Sequence, residues 1–112
     1  MQIRFQTRKT EKIFNSARKL QKEYGADRAK KIKLRMAVLR SAVNLAEVPE
    51  QKPERRHRLK GDRKDQFAVD LVHPYRLIFK PMDPVLMLGG GEIDLSKITE
   101  IVILRVEDYH GD

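Results

Sequence analysis

The sequence predicts an α+β fold in which two N-terminal helices pack on a mostly antiparallel β-sheet, as one domain over residues 1–112. Three observations predict it. Helical periodicity is confined to residues 7–43, strand-like alternation dominates after residue 66, and 112 residues with 40% hydrophobic content suffice for one core but not for two.

The chain opens on QIRFQ, where Ile3 and Phe5 alternate with polar neighbours as in a short, half-buried edge strand. From Thr7 to Tyr24 the apolar residues Ile13, Phe14, Ala17, Leu20 and Tyr24 recur at helical spacing, and Gly25 is placed to end that helix. Asp27 is the expected cap of a second helix. Its stripe is Ala29, Ile32, Met36, Leu39 and Val43, and most of Arg28, Lys30, Lys31, Lys33, Arg35 and Arg40 fall outside it. The two helices read as an antiparallel hairpin. The aperiodic EVPEQKPER, with two prolines, reads as a linker within the domain.

Strands follow. Phe67, Val69 and Leu71 alternate with Ala68, Asp70 and Val72, and after a His-Pro turn Tyr75, Leu77 and Phe79 alternate with Arg76, Ile78 and Lys80, which predicts a hairpin. The connection from Pro81 to Lys97 is long. Its three glycines read as a turn, because no helix-opening Lys-Ser/Thr follows them to make a phosphate cradle. In ITEIVILRVED, Val102, Leu104 and Val106 fall on one face and Ile101 and Ile103 on the other, as in a strand placed centrally under helices.

Composition bounds the function. No cysteine is present, so disulfides and thiolate metal sites are excluded, which suits a reducing compartment. With no run of about 18 apolar residues and no apolar signal core, a soluble cytoplasmic protein without a membrane partner is expected. The charge is lopsided. Residues 1–64 carry 20 Lys/Arg against 7 Asp/Glu (+13), residues 65–112 carry 4 against 9 (−5), and the net +8 attracts polyanions, of which nucleic acid is the commonest soluble one.

The residues able to do chemistry lie in HRLK (His57, Lys60), in YRLIF (Arg76) and in EDYH (Asp108, Tyr109, His110). Their types suit metal-free cleavage of RNA. That reaction needs a base for the ribose 2′-hydroxyl, cations for the charge on the phosphorane-like transition state, and an acid for the leaving 5′-oxygen. Histidine serves as either base or acid near neutrality. Lys60 and Arg76 supply positive charge, and Tyr109 can stack on a base or orient a phosphate. His57, His73 and His110 share no ligand-like spacing, so no metal or other cofactor is expected.

The blocks HRLKGDRKDQFAVDL, YRLIFKP and EDYH, in that order, resemble the HigB branch of the RelE-like toxins of type II toxin-antitoxin systems. The resemblance implies a RelE-like fold and cleavage of mRNA on the translating ribosome. It also implies a cognate antitoxin, commonly a helix-turn-helix protein, forming a hetero-oligomer with the toxin. His57 and Lys60 match the family's H-x-L-K-G block, Arg76 its strand arginine, and Asp108, Tyr109 and His110 its terminal D-Y-H. Proton transfer then falls to His57 and His110, transition-state charge to Lys60 and Arg76, orientation to Asp108, and substrate positioning to Tyr109. Two features depart from the family: Arg58 stands where proline is frequent, and the connection from Pro81 to Lys97 is longer than in compact members. An RNA- or antitoxin-binding module of the same fold is the alternative reading.

Overall fold

A computed structural model describes residues 1–82 and 89–108. The order is β1 (Gln2–Phe5), α1 (Arg8–Phe14), α2 (Ala17–Tyr24), α3 (Ala26–Ser41), β2 (His57–Arg58), β3 (Phe67–Asp70), β4 (Tyr75–Pro81) and β5 (Glu100–Asp108), with short 3₁₀ turns in the connections. The fold is α+β, and the five strands form one mixed sheet in the order β1-β5-β4-β3-β2. Only the β1–β5 pairing is parallel. No helix among the described residues is long and apolar enough to cross a membrane.

The expected single helix from Thr7 to Tyr24 is two helices. Asn15 closes α1, and the Ser16 side chain accepts from the Lys19 amide at 3.2 Å to start α2. Such local side-chain caps compete with helix continuation. The bend lets Phe14 meet both Phe5 and Tyr24 edge-on, at ring separations of 5.6 and 6.3 Å. Gly25, at φ +83, joins α2 to α3, a conformation natural to glycine. It stands in the capping position itself, so Asp27 lies inside the first turn of α3, where its charge favours the positive helix end.

Along α3, Ala29, Ile32, Met36 and Leu39 are buried as the stripe predicts, but Val43 lies past the helix end and is 67% exposed. Arg35 is a second difference. It is buried, and its Nε donates to the Asp70 carbonyl at 2.6 Å, fastening α3 to the end of β3. The stem of an arginine is apolar enough to join a core when its head finds an acceptor.

The helices cover one face of the sheet. Leu20, Ile32, Met36 and Leu39 pack there against Phe67, Val69, Leu77, Phe79, Ile101 and Ile103. Leu59, Ala68, Ile78, Val102 and Leu104 form a separate, smaller cluster, one strand step out of phase with the first on β3 and β4, and so lie on the opposite, open face. β5 is an interior strand between β1 and β4, as its doubly apolar pattern predicts.

One irregularity in β5 decides the site. Ile78 pairs with Arg105 while Phe79 pairs with Ile103, so Leu104 is an extra residue opposite the β4 ladder. An extra residue reverses the parity of everything after it. Val106 therefore packs against the helix-covered core instead of joining Val102 and Leu104 as expected, and Arg105 and Glu107 turn to the open face, where they reach side chains of β4 and of the β2–β3 connection.

Candidate functional site

The charged end of the open face is built from β2, the turn after it, and the paired ends of β3, β4 and β5. His57 lies opposite Ala68 and is half-buried. Arg76 lies opposite Asp70 on one side and Glu107 on the other. These registers set three neighbouring strands' polar side chains side by side.

Arg76, with its side chain 3% exposed, is the centre: Nη2 donates to Glu107 Oε2 at 3.0 Å, and Nη1 lies 3.2 Å from His57 Nε2. The other ring nitrogen, Nδ1, lies 2.8 Å from the Arg55 carbonyl. A guanidinium only donates and a carbonyl only accepts, so these partners together assign a neutral imidazole with hydrogen on Nδ1 and a lone pair on Nε2.

The acceptor for Nδ1 is fixed in turn. Arg55 has φ +47, in the left-handed region that non-glycine residues seldom occupy, at a cost of about 1–3 kcal/mol. Its guanidinium binds both oxygens of Asp70, at 2.6 and 2.9 Å, and the Asp70 amide donates to the Glu54 carbonyl at 2.8 Å. Four contacts to one aspartate, counting Arg35 on its carbonyl, hold this backbone in place.

Glu107 gathers three arginines: Arg76 on Oε2, with Arg63 Nη2 at 2.8 Å and Arg105 Nε at 3.3 Å on Oε1. Burial alone would push its carboxyl up, but the hydrogen bonds from Arg63 and Arg76, the Arg63 charge and the Arg105 bond outweigh burial and hold it below the usual carboxylate range.

Of the residues singled out from the sequence, the structure joins His57 and Arg76 directly. Lys60 is exposed just before the turn at Gly61–Arg63, and its side chain meets no hydrogen-bonding partner among the described residues. Asp108 ends β5 opposite Tyr75, one residue beyond Glu107, and is exposed. Tyr109 and His110 lie outside the described residues. Sequence reasoning missed Glu107, Arg63 and Arg105, and it missed the Arg55–Asp70 pair. A signal existed for the two acids, since Asp70 in FAVDL and Glu107 in RVED are ionised residues inside apolar strand runs. Such positions need cationic partners.

A cleft of about 80 Å³ borders this centre between Arg55, Asp70, His73, Tyr75 and Arg76, well short of the several hundred Å³ usual for small-molecule sites. No group of three or more His, Cys, Asp or Glu residues among the described residues is placed to hold a metal ion. Comparison with protein-family models gave no match, and comparison with curated proteins gave none either.

Proposed function

We propose that this chain is a ribosome-dependent mRNA endoribonuclease, the toxin of a type II toxin-antitoxin pair of the HigB and RelE kind, with a variant of that fold. The observation that carries the reading is the contact of Arg76 Nη1 with the lone pair of His57 Nε2 beside a carboxylate that anchors the same guanidinium. A base and a cation for transition-state charge thus stand in contact on the sheet face that the described helices leave free.

In this reading His57 Nε2 takes the 2′-hydroxyl proton. Arg76 Nη1 leaves the imidazole for a phosphate oxygen as charge develops, and Lys60 adds a second positive charge. Asp108 orients a neighbour, Tyr109 positions the substrate, and His110 protonates the leaving 5′-oxygen, roles that rest on the sequence resemblance. The basic helices hold ribosomal RNA, and a helix-turn-helix antitoxin neutralises the enzyme in a cytoplasmic hetero-oligomer. Phosphate contacts of this kind give affinity without sequence choice.

The products test it. Attack by the 2′-hydroxyl leaves a 2′,3′-cyclic phosphate, read by mapping mRNA ends after induced expression; a free 3′-hydroxyl with a 5′-phosphate contradicts the mechanism. His57→Ala and Lys60→Ala should each lower cleavage on translating ribosomes by about 10²-fold or more while melting as cooperatively as the wild type.

One observation favours a second reading, an RNA- or antitoxin-binding module. Arg76 is almost wholly enclosed and ion-paired, as a purely structural arginine would be. RNA or antitoxin binding by the wild type without cleavage of translated mRNA would select it.

A further inference from the structure

We propose that Arg63 and Arg105 form a phosphate-binding pair for an RNA backbone, held beside the His57–Arg76 centre by Glu107, which acts as their positioning residue. The inference rests on the reading of the chain as acting on RNA, and it adds the subsite that takes a phosphodiester next to the reacting one.

The cluster holds one cation more than its ties between strands need. Tying β4 to β5 requires one cation on Glu107, and Arg76 supplies it; tying the turn after β2 to β5 requires a second, and Arg63 supplies that. The third adds only a long 3.4 Å bond to Gln66 in the β2–β3 connection. Arg105 and Glu107 are two residues apart on the same strand, so their 3.3 Å contact fastens no two elements together and adds a like charge to two guanidiniums already present. Yet Arg105 faces this way only because the extra residue Leu104 reverses the alternation of β5. Without that bulge the side chain would face the helices.

Exposure sorts the three. Arg76 is enclosed, whereas the side chains of Arg63 and Arg105 are 32% and 43% exposed and open to a ligand. Neither is saturated. Arg63 gives Nη2 to Glu107, and its Nε is buried without an acceptor among the described residues. Arg105 gives Nε to Glu107 and Nη2 to Gln66 Oε1 at 3.4 Å. The Nη1 of each, with two N–H donors, has no hydrogen-bond partner among the described residues. Two guanidinium forks beside one another match the non-bridging oxygens of a phosphodiester. A strand with one phosphate at His57–Arg76 brings the adjacent phosphate to this pair, which favours RNA over an acidic peptide as the occupant.

The experiment measures binding without cleavage. A short single-stranded 2′-O-methyl RNA, which lacks the nucleophilic hydroxyl, is titrated with the full chain by fluorescence anisotropy at several salt concentrations, with an oligoglutamate peptide as the second probe. In single strands each neutralised phosphate contributes about 0.7 to the slope of log K against log salt, so the double variant R63Q/R105Q, which loses the one phosphate the pair holds, should lose about 0.7 of slope. The control K52Q/K97Q removes the same charge from exposed positions outside the three α-helices and the site, and should lose less than half as much.

Equal losses in the two variants, or an unchanged slope in R63Q/R105Q, overturn the proposal. So does oligoglutamate affinity that falls in step with RNA affinity, because the site would then belong to an acidic partner. If the double variant melts early, R105Q alone carries the test with an expected loss of roughly half as much, since Arg105 links elements only through its long bond to Gln66. Failure of the endoribonuclease reading shows separately, as absent cleavage of ordinary mRNA with the slope change intact.

Discussion

On the face of the sheet that the helices cover, Phe67, Val69, Leu77, Phe79, Ile101 and Ile103 are at most 2% exposed and share one apolar cluster with Leu20, Ile32, Met36 and Leu39 of α2 and α3. On the open face the buried apolar set shrinks to Leu59, Ala68, Ile78, Val102 and Leu104, and beyond it lie His57, Asp70, Arg76, Arg105 and Glu107 in one hydrogen-bonded sequence of charges. The same three strands supply both faces. Non-directional burial stabilises the first, where many side chains of suitable volume would serve. The second depends on directional contacts between ionised groups, each of which needs its partner in place, so small changes of register matter more there than changes of volume.

Deleting Leu104 tests this division where the bulge sets it. Without the extra residue Ile103 and Arg105 become consecutive, pair with Phe79 and Ile78 in an unbroken ladder, and leave Arg105 and Glu107 on the open face. The expected cost is that of a lost buried leucine, about 2–5 kcal/mol, close to that of Leu104→Ala. Chemical denaturation of both variants checks it. A deletion far less stable than Leu104→Ala would mean that the bulge itself holds β5 against β4.

Phe79→Ala tests the covered face alone. Phe79 is 0% exposed and stacks on Phe67 at 6.0 Å, so a loss of about 3–5 kcal/mol is expected from transfer and cavity terms. Arg105→Gln, on the open face, should stay within about 0.5 kcal/mol of the wild type. A comparable loss in both would mean that the charged network is part of what holds the fold.

Glu107→Gln sharpens the comparison by pH. The folded carboxyl of Glu107 lies below its ordinary value, about 4.3 in the unfolded chain, because hydrogen bonds from Arg63 and Arg76 outweigh its burial. A depressed folded value contributes stability that is fully present above the unfolded one and is lost as pH falls through the folded one. Thermal melts from pH 7 down to about 3 should therefore fall less steeply for Glu107→Gln than for the wild type. Parallel curves would assign the acid sensitivity to other carboxylates.

Much of the fold follows from local pattern. The stripe of α3, the hairpin of β3 and β4 and the interior place of β5 are periodicities of two or 3.6 that hold wherever the chain buries one side. The split between α1 and α2 was legible too, in Asn15 and Ser16, but apolar spacing continuing through both residues concealed it. His57 and Arg76 stood out by chemical type, and the structure sets them 3.2 Å apart.

The sequence by itself determined the α+β class, the core stripes, the basic first half and two members of the candidate site, because each depends on residue type and short-range spacing. Only the tertiary structure decided that Arg35 is buried on the Asp70 carbonyl, that the His57 ring lies between the Arg55 carbonyl and Arg76, and that Glu107 gathers three arginines. Those facts depend on strand register, and in β5 the register turns on one extra residue whose position no local pattern marks. A strand read as strictly alternating puts Glu107 on the wrong face; the pairing with β4 puts it beside Arg76.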